Sequence, residues 1–93
     1  MYPRYSEICT PLLREIEARG GSTRPSDEDA KGRTVYEALA DYFNLTLTAR
    51  TAPISETDAR SKWENMVQWS RNDLRKKGLI DNKERGVWTV IRN

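Results

Sequence analysis

Between Arg60 and Ile91 the chain reads RSKWENMVQWSRNDLRKKGLIDNKERGVWTVI, and two periodicities meet inside that stretch. At about 100° per residue, Trp63, Val67, Ser70 and Leu74 share one narrow arc with Met66 beside them, while Ser61, Asn65, Gln68, Asn72 and Lys76 share the opposite side. The first set is a core face and the second an amide-rich, cationic outer face. Lys76 and Lys77 precede Gly78, which places cations in the last turn and a glycine where a left-handed stop is easiest. Leu79 and Ile80 then start a strand, Asp81 to Gly86 turn it, and Val87 to Ile91 return. The stretch predicts a helix, beginning between Asp58 and Ser61, followed by a β-hairpin.

The upstream chain supplies the rest of one small domain spanning residues 1–93. A first helix is expected from Tyr5 or Ser6 to just before Gly20-Gly21, burying Ile8, Leu12 and Ile16 with Cys9 and Leu13 on the adjoining row. Pro11 falls within it, either tolerated inside the helix or as a first-turn residue after a Thr10 cap. Ser22 to Arg24 reads as a short extended piece, because Pro25 biases Arg24 away from helix. Residues 25–33 (PSDEDAKGR) are polar and aperiodic and read as a loop or one irregular helical turn. Thr34 and Glu37 have the spacing of a capping box, so a second helix starts there. Its buried stripe is Val35, Ala38, Leu39, Tyr42 and Phe43, with Asn44 as its stop. Residues 45–57 (LTLTARTAPISET) read as a connection pinned to the core by Leu45, Leu47 and Ile54, with Ser55 or Thr57 capping a turn into the third helix.

Helix, extended piece, helix, connection, helix and hairpin is an α+β, mainly helical layout: a winged helix-turn-helix, three helices with a C-terminal hairpin wing. Charge sorts along the chain. Residues 1–59 carry 7 Lys/Arg against 10 Asp/Glu, net −3, whereas residues 60–93 carry 9 against 4, net +5. A basic helix-plus-hairpin half suits an anionic partner, although a solvated charged face has the same composition. The chain has no histidine and a single cysteine, Cys9. Histidine-dependent triads, cysteine cages and disulfides are thereby excluded, no metal or cofactor is expected, and Cys9 reads as a small core residue. No apolar run approaches the ~20 residues of a membrane span, and the polar N-terminus lacks a signal-peptide core. These features point to a soluble protein of the cytoplasm.

The outer face of the third helix is the main candidate site. Asn65, Gln68 and Asn72 are spaced to meet one groove of a duplex, where amides pair with adenine edges. Lys62, Arg71, Arg75 and Lys76 flank them within reach of phosphates. At the hairpin tip, Lys83 and Arg85, with Glu84 between them, either touch DNA or merely solubilise the turn. Arg60 and Ser61 stand where a helix N-terminus could take a phosphate. Trp63, Trp69 and Trp88 suit a cage for a base but are better read as structural: Trp63 on the core arc, Trp88 in a strand, and Trp69 covered by the hairpin. Asp29-Ala30-Lys31 and Asp81-Asn82-Lys83 imitate the last element of a metal-dependent nuclease motif. Both lack the preceding acid on a neighbouring strand that such a site needs, and both read as chance.

The segments Asn65-Met66-Val67-Gln68-Trp69-Ser70, Leu74-Arg75-Lys76-Lys77-Gly78-Leu79-Ile80 and Arg85-Gly86-Val87-Trp88-Thr89 carry a resemblance. Together with Pro11-Leu12-Leu13 and the Gly20-Gly21 exit, they make the chain similar to the N-terminal domain of Mrr-type restriction proteins. Ser70 and Lys77 stand where that family's pattern has alanine, and residues 27–33 look like a variable insertion. The resemblance implies a winged-helix module that binds double-stranded DNA, methylated DNA included. It also implies that such a module precedes a nuclease domain in the parent protein and does no chemistry itself. A homodimer is compatible with it. The alternative is a protein–protein or dimerisation module on the same fold, using an exposed aromatic patch of Tyr2, Tyr5 or Trp69.

Overall fold

A computed structural model describes residues 1–81 and 83–91. Asn82, assigned above to the hairpin turn, lies outside the described residues, as do residues 92–93. The described residues form four helices and two small antiparallel sheets, an α+β and mainly helical fold: α1 (Tyr5–Ala18), β1 (Ser22–Thr23), α2 (Val35–Tyr42), α3 (Leu47–Thr51), β2 (Pro53–Ser55), β3 (Asp58–Ser61), α4 (Lys62–Lys76), β4 (Ile80–Asp81) and β5 (Trp88–Val90). The three longer helices form the core, with α1 packed mainly on α4.

The core residues are those that helical spacing selects. Ile8, Leu12 and Ile16 of α1, Val35 and Leu39 of α2, and Trp63, Val67 and Leu74 of α4 are all buried, joined by Ile80 and Trp88 from the strands. Each such aliphatic side chain contributes about 1.5–3 kcal/mol on burial. Pro11 is held inside α1, well past its first turn. Ser70 is fully buried on the core face of α4, and its hydroxyl donates to the carbonyls of Met66 (3.0 Å) and Tyr5 (3.2 Å). The buried hydroxyl is therefore satisfied within the core.

One chain-reversing motif ends all three long helices. In α4, the Gly78 N–H donates to Arg75 O and the Leu79 N–H to Leu74 O, with Gly78 at φ +76°. Gly20 and Gly21 close α1 in the same way onto Glu17 and Ile16, and Asn44 and Leu45 close α2 onto Asp41 and Ala40. Asn44, at φ +53°, is the one described non-glycine residue with positive φ. Asparagine is among the few residues that accept that conformation cheaply. These are the stops expected at Gly20-Gly21, Asn44 and Gly78. The start of α2 also matches: Thr34 Oγ1 accepts from the Glu37 N–H, and the Glu37 carboxylate accepts from the Thr34 N–H.

Residues 45–57, expected to be a connection, contain regular elements. They hold the five-residue helix α3, whose cap Thr46 accepts from the Ala49 N–H, and the strand β2, which pairs with β3. The bases of both are local and weak. A helix under two turns has no amphipathic period to read, and the β2–β3 hairpin is polar and mostly exposed. Residues 58–61 are consequently strand, and α4 begins at Lys62. Leu47, expected to pin the connection, is 76% exposed, whereas Leu45 is buried. On α2, Tyr42 points outward and Tyr36 takes the buried place instead.

The second sheet has the order β1–β5–β4, with Ser22 opposite Thr89, Thr23 opposite Trp88 and Ile80 opposite Val90. The short extended piece near Ser22 is thus a third strand, paired with β5. With α4 running directly into β4, this arrangement is compatible with a winged helix-turn-helix in which β4–β5 is the wing.

Candidate nucleic-acid interface

The outer face of α4 is aimed by its buried face. Trp63, Met66, Val67, Ser70 and Leu74 are held in the core, so the positions some 180° away must look outward. Gln68, Arg75 and Lys76 are exposed, and Asn65, Arg71 and Asn72 are half-buried along the same helix. Asn65 and Gln68 share a shallow depression with Arg60, Ser61 and Glu64 at the junction with β3. Further along, Asn72 and Lys76 line a second depression with Trp69, Asp73, Tyr5 and Ser6. The three amides therefore lie along one helix face, in two adjoining hollows.

Charge on this face is largely uncommitted. Among the described residues, Arg71, Arg75, Lys76 and Arg85 form no ion pair, while Lys77 is paired with Asp73 at 3.0 Å. Arg71 is distinct from its neighbours. Its guanidinium carbon sits 5.6 Å from the centroid of the Trp88 ring, and its Nε is buried without a hydrogen-bond partner. Burial, and then the nearby Arg75, make its cation less favourable than usual. Gln68 is also held, its Nε2 donating to Tyr36 Oη at 3.1 Å. Burial raises the Tyr36 phenol above its ordinary range, so the hydroxyl stays protonated.

The start of α4 is more occupied. Ser61 is its cap, with Oγ accepting from the Glu64 N–H at 3.2 Å, and the Lys62 N–H donates to Ala52 O. Arg60 is clasped by Asp58 through Nε and Nη2, which keeps the Asp58 carboxyl below the usual carboxylate range. Lys62 lies over the Tyr2 ring at 4.9 Å, on the flank away from Arg71. Arg60, Ser61 and Lys62 therefore surround the helix start, whereas the amides and Arg71, Arg75 and Lys76 occupy its length. At the other end, Lys83 is highly exposed and 3.8 Å from Asp81, and Arg85 projects beside it. Arg24, at the end of β1, reaches this hairpin through Arg85 O (3.5 Å) and Glu84 (3.9 Å).

The tryptophans divide. Trp63 and Trp88 are buried, as expected of structural residues, but Trp69 is 55% exposed instead of covered by the hairpin. It lies beside Tyr5, itself 48% exposed. Tyr2, by contrast, is half-buried: its hydroxyl donates to Ala49 O at 2.7 Å and its ring stacks on Trp63. Asp29 organises its own loop by accepting from the Arg33 and Lys31 N–H groups, which holds its carboxyl below the usual range. Asp81 likewise accepts from the Lys83 N–H. Among the described residues no three His, Cys, Asp or Glu side chains converge as metal ligands. Among the described residues no helix is long and apolar enough to cross a membrane.

Tyr36 and Arg24 had not been singled out by sequence reasoning. A buried face on α2 shifted by one position would have found Tyr36, and the pairing of the Ser22 segment with the return strand carries Arg24 to the hairpin.

Comparison with known proteins places these features in a family. Residues 5–91 match the family model of the Mrr N-terminal domain. The chain is 31% identical over 88 residues to the type IV methyl-directed restriction enzyme EcoKMrr of Escherichia coli (strain K12). That alignment takes in 95% of this chain and 26% of the enzyme, so the chain spans about a quarter of that relative's length. No solved structure matches the chain. The match over residues 5–91 assigns the chain to the Mrr N-terminal domain family.

Proposed function

We propose that this domain is the DNA-recognition module of a restriction system, binding duplex DNA with α4 in the major groove and the β4–β5 hairpin against the backbone. In this reading Asn65, Gln68 and Asn72 meet base edges, while Arg71, Arg75, Lys76, Lys83 and Arg85 meet phosphates. Lys62 with Arg60 and Ser61 touches the strand beyond the start of the helix. The observation that carries the reading is the outward line of amides on α4, bordered by Arg71, Arg75 and Lys76, which form no ion pair among the described residues. A family relative named as methyl-directed supports sensitivity to base methylation. In a longer parent protein, chemistry on DNA then belongs to a nuclease domain in cis, and this module does the targeting in the cytoplasm.

The test is a titration of fluorescent duplexes, identical in sequence but differing in methylation, at low salt. The expected result is saturable binding whose log affinity falls with log salt by about 0.9 per phosphate contacted. Failure to bind any duplex at low salt overturns the proposal.

The exposed Tyr5 and Trp69 favour a second reading, in which the same domain docks on another protein surface or on a second copy of itself. A concentration-independent dimer in light scattering, with no duplex bound, is the result that selects it.

A further inference from the structure

At the junction of α2, α4 and β5, two outward side chains are each braced by an aromatic residue, and the braces touch. Arg71 lies over Trp88, Gln68 is latched by the Tyr36 hydroxyl, and the Tyr36 and Trp88 rings meet edge to face at 6.2 Å. Gln68 and Arg71 are one helical turn apart on α4, the spacing that puts side chains next to each other. Most long surface side chains surrender considerable rotamer freedom on binding. These two have surrendered much of theirs already.

The bracing is unfavourable for the isolated fold. A half-buried guanidinium normally has a carboxylate partner, because partial desolvation of an unpaired charge is costly. Arg71 has none among the described residues, its Nε is buried without any acceptor, and its neighbour Arg75 adds repulsion. Stacking on an indole offsets part of this. It does not satisfy the hydrogen-bond donors.

We propose that Arg71 is a preformed seat for one backbone phosphate, that Gln68 reads the base edge beside that phosphate, and that Tyr36, which need not touch DNA, sets the reading by orienting the Gln68 amide. The proposal rests on the duplex-binding reading given above and adds to it a division of labour. Arg71 fixes the register of α4 along the duplex through a bidentate contact. Gln68 spends one amide N–H on Tyr36 and keeps its Oε1 and second N–H for a base. Tyr36 is a positioning residue.

Three variants of the 93-residue chain test this. Arg71→Met keeps an unbranched apolar stem against Trp88 and removes the charge. The expected result is a thermal midpoint equal to or above that of the parent without DNA, with duplex affinity lowered about fivefold or more and the salt slope reduced by about one. A lowered midpoint with unchanged affinity makes Arg71 structural and overturns the seat. Tyr36→Phe retains the buried ring and removes only the latch. In selection from a randomised duplex pool, methylated and unmethylated, this variant and Gln68→Ala are expected to lose discrimination at the same base pair, and Tyr36→Phe keeps its affinity for non-selected duplex within about twofold of the parent. Discrimination unchanged in Tyr36→Phe, or a parent chain that binds every duplex equally, overturns the assignment of Gln68 and Tyr36. Failure of the duplex-binding reading is distinguishable, because the parent chain then retains no duplex from the pool at all.

Discussion

The indole Nε1 of Trp63 donates to the carbonyl oxygen of Tyr36 at 2.8 Å, tying the first turn of α4 to the first turn of α2. The Trp63 ring is also packed between Tyr2 and Phe43, at centroid distances of 6.4 and 6.1 Å. One side chain thus fixes where α4 begins and which way it is rolled, and the roll decides which residues face outward. Trp63→Phe removes the donor and leaves space in the core. A loss of about 2–4 kcal/mol is expected, read as an earlier midpoint in urea at unchanged slope. An unchanged midpoint would show that the helix is positioned by its neighbours alone.

Trp69 differs from the other two tryptophans in exposure, and fluorescence can separate them. Trp63 and Trp88 retain 2% and 4% of their accessible surface, against 55% for Trp69. Acrylamide should therefore quench one emitter readily and two poorly, and Trp69→Phe should abolish the readily quenched fraction without moving the urea midpoint. Equal quenching of all three would contradict the burial of Trp63 and Trp88.

What could be read beforehand follows from how much physics each element carries locally. The outward set on α4 was legible because Trp63, Val67, Ser70 and Leu74 hold one arc for three turns, and a buried arc implies its opposite. Helix ends were legible because Gly20, Asn44 and Gly78 are residues that a left-handed exit favours. The α3 and β2–β3 segment was not, since its residues are neither periodic nor apolar and its order comes from capping and from ion pairs such as Arg50 with Asp41. The exposure of Trp69 was hidden for another reason. At a position on the flank of α4, only the placement of the hairpin decides between cover and solvent, and the hairpin packs on the Arg71 side, where Trp88 lies. The braces on Gln68 and Arg71 depend on contacts more than fifteen residues apart in sequence, which spacing does not encode.

Asp41 makes the acid limb of stability testable. Its carboxylate accepts from Arg50 and from Arg33, which joins the end of α2 to α3 and to the preceding loop. These two guanidiniums hold its carboxyl below the ordinary range. A carboxylate whose folded pKa is depressed contributes fully above its unfolded value of about 3.9 and loses that contribution as pH falls through the folded value. The stability from Asp41 should therefore be intact at neutral pH and disappear below about pH 4. Asp41→Asn should lower the urea midpoint slightly at pH 7, because the pairs are solvent-exposed and screened. The two proteins should then converge as pH is taken below 4. A constant gap across that range would mean that Asp41 acts through packing and not through its charge.

The cations of the β4–β5 hairpin and the amides of α4 should fail in different ways. Lys83 and Arg85 are exposed at a turn and, among the described residues, their side chains have no rigid partner beyond the 3.8 Å approach of Lys83 to Asp81, so a contact from either is one of charge. Replacing both with alanine should weaken binding to all duplexes alike and lower the salt slope by about two if both reach phosphates. Asn65 is half-buried in the hollow beside Gln68, where a hydrogen bond to a base edge is directional. Asn65→Ala should leave the slope unchanged and cost about 1–3 kcal/mol on the preferred duplex only. The two signatures are independent, so a competition assay at two salt concentrations separates them. If the hairpin variant changed which duplex is preferred, the division between a reading helix and a charged hairpin would be wrong. If Asn65→Ala weakened every duplex equally, the outer face of α4 would hold the backbone and leave the bases unread.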